Sequence, residues 1–174
     1  MFKHCWCKQR EGKDWEMSLE KKTAGTIVGV KRRIEIWRDG KLIDMDEREL
    51  SWEDLVVDAG LDAACGCVFD SSANRPAAFN YIAIGTDGTA PSASQTALGA
   101  EVMRVQATYS KDANTGECSI DATFDITASY ALQECGIFNA STGGTMYCRD
   151  TYTTKNVENG DTVKVYYTGK FQRP

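Results

Sequence analysis

Histidine is nearly absent: the 174-residue chain has one, His4, close to its start. His4 falls in a segment that reads as an extended arm, where a general base is poorly positioned, so it is read as a surface residue. A Walker phosphate loop, a dinucleotide glycine fingerprint and a Gly-x-Ser-x-Gly elbow are missing as well. Asp121, Asp125 and Glu134 are the candidate paired carboxylates, but the two aspartates fall on the solvent side of an expected strand. No catalytic residue is therefore assigned. No apolar run approaches the roughly 18 to 20 residues of a membrane-spanning helix. The opening MFKHCWCKQREGKDWEM lacks the continuous apolar stretch of a secretory signal. No membrane partner is expected, and synthesis in the cytoplasm is.

A basic surface is missing too. Residues 1–50 carry 12 Lys plus Arg against 10 Asp plus Glu, a balance of +2, while residues 51–174 carry 8 against 15, a balance of −7. The acidic larger part argues against a nucleic-acid partner. A slightly basic start meeting an acidic neighbour suits the pattern better.

Cysteine is present, at positions 5, 7, 65, 67, 118, 135 and 148. His4, Cys5, Cys7, Cys65 and Cys67 can be written down as zinc ligands. Structural zinc sites, however, place two to four residues between cysteines, and one intervening residue strains a shared tetrahedral ion. Packing or cross-linking thiols are the better reading, with no metal and no cofactor expected. An odd count leaves at least one thiol unpaired within the chain, which would allow a bond between subunits in an oxidising place.

Length allows one good core. Residues 1–25 mix charges with Trp6 and Trp15 without a sustained period and are read as an extended arm. Indoles on a polar segment are costly to leave in water, so Trp6 and Trp15, with Lys8 and Arg10 nearby, are candidates for a subunit interface, docking on a neighbour or on their own domain. Residues 26–174 form the main domain. Arg38-Asp39-Gly40-Lys41 between two alternating runs predicts a hairpin. Ser51 with Asp54 reads as a capping box opening a helix near residues 52–67, whose apolar face is Trp52, Leu55, Val56, Ala59, Ala63 and Cys67. Gly60 counts against that helix. Strands are expected at residues 80–85, 102–109, 118–128, 137–139, 145–152 and 162–171. In the third, Cys118, Ile120, Ala122, Phe124, Ile126 and Ala128 alternate with polar residues, giving one buried and one wet face. The fold class is mainly β: an antiparallel β-sandwich with one inserted helix.

Three segments, NYIAIGTDGTAPSASQTALGAEVMR, QECGIFNASTGGTMYCRDTY and VENGDTVKVYYTGKF, occur in that order after DLVVDAGLDAAC. In sequence and order they resemble a group of tailed-bacteriophage structural proteins of the tail-fibre-like or minor structural type. The resemblance covers about residues 27–171; Cys135 and Cys148 depart from it, standing where small or apolar residues are usual. It implies a non-enzymatic virion protein made in the host cytoplasm: a capsid decoration, head fibre or tail-appendage subunit. The partners it implies are other copies, as a trimer, and major capsid or tail proteins. The alternative is a host-receptor or glycan-binding module of a tail fibre, with Tyr130, Tyr147, Tyr152 and Tyr166 as candidate contacts.

Overall fold

A computed structural model describes residues 26–50, 56–111, 113 and 116–172. The expected arm, residues 1–25, lies outside them. The chain begins with a hairpin, β1 (Thr26–Arg38) and β2 (Lys41–Leu50). Asp39 and Gly40 both have positive φ, 50° and 72°, as a two-residue primed turn requires. Then come α1 (Asp58–Phe69), β3 (Tyr81–Gly85), β4 (Glu101–Gln106), β5 (Thr108–Lys111), β6 (Glu117–Asp125), β7 (Tyr130–Phe138), β8 (Met146–Val157) and β9 (Thr162–Gln172).

These strands make two antiparallel sheets, a five-stranded one in the order β2-β1-β9-β6-β5 and a four-stranded one in the order β4-β3-β7-β8. The sheets pack face to face as a β-sandwich. Ile34, Ile36, Phe124, Val163 and Val165 of one meet Ile82, Ile84, Leu132, Cys135 and Ile137 of the other. Alternation along β6 places Ala122 and Phe124 inside, with Ile126 just past its end, as expected. Cys118 and Ile120 are only half-buried and Ala128 is exposed, so the buried face is confined to the middle of the expected run.

A second apolar cluster, Val57, Ala83, Leu98, Phe138 and Met146, lies on the far side of the four-stranded sheet. There α1 and the 86–100 loop cover the sheet. With both faces covered, β3 reads as a continuous apolar run, not an alternating one.

The helix corrects an expectation. It spans Asp58–Phe69, not 52–67, and its N-cap is Val57, without a side-chain cap. Val56 pairs with Cys148 as an isolated bridge, so extended backbone reaches further than apolar spacing suggested. Ser51, Trp52, Asp54 and Leu55 lie outside the described residues. Gly60 is inside the helix for a reason: a Cβ there would collide with the Tyr147 backbone, so its absence lets α1 lie directly on β8. The expected 102–109 strand is two strands in different sheets. The chain breaks at Ala107, whose N–H donates to Asn80 O, and passes from one sheet to the other.

Candidate functional site

The densest polar site lies under the 86–100 loop. Glu134 of β7 and Arg149 of β8 are next to each other on the outer face of the four-stranded sheet, both fully buried, with Arg149 Nε donating to Glu134 Oε2 at 2.7 Å. Glu134 Oε1 also accepts from Asp87 N at 3.2 Å and Ala100 N at 2.7 Å, and Oε2 from Gly99 N at 2.9 Å. Both ends of the loop are thus tied to one carboxylate. Arg149 uses its remaining donors on the loop's middle: Nη1 to Thr89 O and Gln95 Oε1, Nη2 to Asp87 O and Oδ2. All five guanidinium donors and four carboxylate acceptor positions are engaged. The pair is a clamp, with no free lone pair or proton for acid/base work. Asp87 is itself held below the usual carboxylate range, chiefly by hydrogen bonds from Thr89.

A second network lies between the sheets. Arg32, fully buried, ion-pairs through Nε with Asp150 Oδ2, while Arg48 Nη2 donates to Asp150 Oδ1 at 2.7 Å. Arg32 also stacks 5.1 Å from the Tyr152 ring centre, and its Nη1 has no hydrogen-bond partner among the described residues. Burial raises the Asp150 carboxyl despite both arginines. Beside it the Cys135 thiol is within 2.9 Å of the Tyr167 hydroxyl. Burial pushes that thiol up to about 12, and Cys148 upward too, so neither supplies a thiolate nucleophile at neutral pH.

The carboxylates considered from sequence do not converge. Asp121 and Asp125 are on β6 in one sheet; Glu134 is on β7 in the other. The thiols do not converge either. Cys65 is exposed on α1, whereas Cys67, about 200° further round, points its sulfur at Pro76 O, 3.5 Å away. Two residues apart on a helix, they cannot share one ion. No cluster of three or more His, Cys, Asp or Glu fit for a metal exists among the described residues; His4, Cys5 and Cys7 lie outside them. Trp6, Trp15, Lys8 and Arg10 lie outside them as well.

Of the tyrosines, Tyr152 is buried with its hydroxyl donating to Glu134 O at 3.1 Å, and Tyr147 packs against Phe79 at 5.2 Å. Neither is placed as an open recognition residue. Tyr166 is half-buried on the outer face of the five-stranded sheet, under the Arg33 guanidinium at 4.4 Å. Near it a shallow cavity of about 300 Å³ is lined by Trp37, Asp39, Gly40, Gly160, Thr162 and Lys164. No described helix is long and apolar enough to cross a membrane.

Sequence reading missed the clamp and the Arg32–Asp150 pair. For Arg32 a signal existed: it is in phase with Ile34 and Ile36, so alternation already placed it inside. No family model, curated protein or solved structure matches the chain.

Proposed function

We propose that the chain is a non-enzymatic structural subunit of a tailed-phage-like virion, made in the host cytoplasm and built into the particle as a capsid decoration, head fibre or tail-appendage protein. The observation that carries this reading is where the phage-like segments meet. TDGTAPSASQTALG, QECGIF and TMYCRD come together at the Glu134–Arg149 clamp, whose polar groups are engaged with each other and with the backbone and side chains of the loop. Residues spent on rigidity suit a part whose work is to keep its shape and to assemble. Its partners are other copies, as a trimer, and major capsid or tail proteins, with Trp6, Trp15, Lys8 and Arg10 in the contact between copies. Exposed apolar side chains at Leu42, Ile43 and Met45 of β2, and at Leu61, Val68 and Phe69 of α1, are further surface for such contacts. Recognition of nucleic acid or membrane has no part in it.

Light scattering over a range of concentrations should show a homo-oligomer, and immunogold labelling should place the protein on purified particles at many sites. Esterase, glycosidase, protease and nucleotide substrates should show no turnover. Turnover lost on changing a cluster of polar residues, with the fold intact, would overturn the non-enzyme reading.

The alternative, a receptor- or glycan-binding module, is favoured by one feature. The half-buried Trp37 indole lines the cavity on the outer sheet face, with Lys164 over its ring at 4.9 Å and its Nε1 donating to Glu35 at 3.0 Å. Glycan-array binding abolished by Trp37→Ala would decide for it.

A further inference from the structure

The outward face of α1 carries an apolar stripe that the described fold leaves uncovered. Gly60 and Ala63 turn toward β8, whereas Leu61, Cys65 and Val68 recur at four- and three-residue intervals on the opposite side, with Phe69 beside them. Leu61 is 54 % exposed, Val68 69 % and Phe69 81 %. These side chains offer roughly 350 Å² of surface, comparable with the largest apolar patch on an ordinary monomer. That is under half of the roughly 800 Å² per partner in a stable contact between folded bodies. A patch of this size fits a length of chain better than a second domain.

The charge around it specifies which length of chain. Asp58 and Asp62 are exposed on the first turns of α1, which itself carries no Lys or Arg, while Arg75 at its C-terminal end is held against Cys67 O at 2.6 Å, so the acidic side is the one near Leu61. Residues 1–25 have the complementary character, with six Lys or Arg against four Asp or Glu, and with Phe2, Trp6, Trp15 and Met17. Reach is ample. Twenty-five residues extend up to roughly 80 Å, while a helix of 12 residues is about 18 Å long.

We propose that the N-terminal segment of one copy lies along the α1 stripe of a neighbouring copy, seating Trp6 and Trp15 on Leu61, Val68 and Phe69 with Lys8 and Arg10 beside Asp58 and Asp62. The inference rests on the self-assembly reading and names the surface at which copies engage. It also has a built-in reporter. Cys5 and Cys7 flank Trp6, and Cys65 is in the middle of the stripe.

Full-length protein is treated with diamide, which takes two electrons and two protons from a thiol pair to close a disulfide. Products are separated on a non-reducing gel and their peptides mapped, with light scattering in parallel. The expected result is an oligomer whose covalent dimer band contains a Cys65–Cys5 or Cys65–Cys7 peptide. That link should form at least tenfold more slowly in a Leu61→Ser, Phe69→Ser variant whose circular dichroism is unchanged, and the variant should dissociate at least tenfold more readily. The same peptide in the monomer band alone would show the segment covering its own helix and overturn the proposal. A Cys65–Cys65 peptide, or a link formed equally fast in the variant, overturns it too. An oligomer without any Cys65 link refutes this surface and leaves self-assembly standing. A monomer at every concentration refutes the assembly reading itself.

Discussion

At the scale of single residues, the most consequential are charges that sequence reading would leave on the surface. Removing Glu134 strands Arg149 in a dry site and frees three backbone N–H groups. Glu134→Ala should therefore cost about 3 to 5 kcal/mol, as breaking a buried pair usually does, out of a domain stability of roughly 5 to 15 kcal/mol. Denaturant unfolding checks it. The double change with Arg149→Ala should cost clearly less than the sum of the single ones; additive costs would show two side chains holding the loop independently. Asp161 makes a different kind of prediction. Arg38 donates to both its oxygens at 2.7 and 2.8 Å and, with Glu158 N, holds the carboxyl below its ordinary value. With the folded value below the unfolded one, the folded state binds fewer protons near pH 4. The stability this supplies is complete above the unfolded value of about 3.9 and is lost as pH falls through the folded value. Asp161→Asn should melt below the parent protein at pH 7, and the gap should close on acidification. A gap that stays constant down to pH 2 would remove Asp161 from the acid response. On β6, Phe124→Asp should unfold the domain, since its ring is fully buried, while the exposed Asp125→Asn should change the melt little. Equal melts would mean the register is wrong.

Elements were legible in proportion to how local their causes are. Asp39-Gly40 fixed the hairpin because a primed turn depends on two residues, and β6 announced its buried face because one side is core and the other water. The helix was misplaced because apolar spacing cannot separate residues that face a sheet from those that extend one: Val56 is part of a bridge and Val57 a cap. The break at Ala107 was invisible because both halves, residues 101–106 and 108–111, have strand-like composition; only the pairing of β4 with β3 and of β5 with β6 divides them. For the clamp, a glutamate and an arginine 15 residues apart look like surface charges until the loop folds over them. Gly60 is the clearest test at this scale. Gly60→Val should lift α1 off β8 and lower the melting temperature by several degrees. If helix propensity governed, the change would be mild or stabilising, since valine forms helix better than glycine.

In the whole molecule, closure of the larger sheet waits for the end of the chain. β1 pairs with β9, joining Thr26 to Gln172 and Ile34 to Val165 across most of the sequence. Refolding should accordingly take milliseconds to seconds, measurable by stopped-flow fluorescence, as in other folds ruled by distant pairings. A microsecond phase carrying most of the amplitude would contradict this. The same pairing has a mechanical consequence. Because the two ends of the described chain face each other across one ladder, tension applied at Thr26 and Gln172 pulls along the hydrogen bonds and loads one rung after another. With one handle moved to Gly40, at the far end of β1, the load runs along the strands and many rungs resist in shear. Pulled at those two residues the sandwich is a zip, so an assembly of the kind proposed would have to pass load sideways from copy to copy and not along the thread of any single chain.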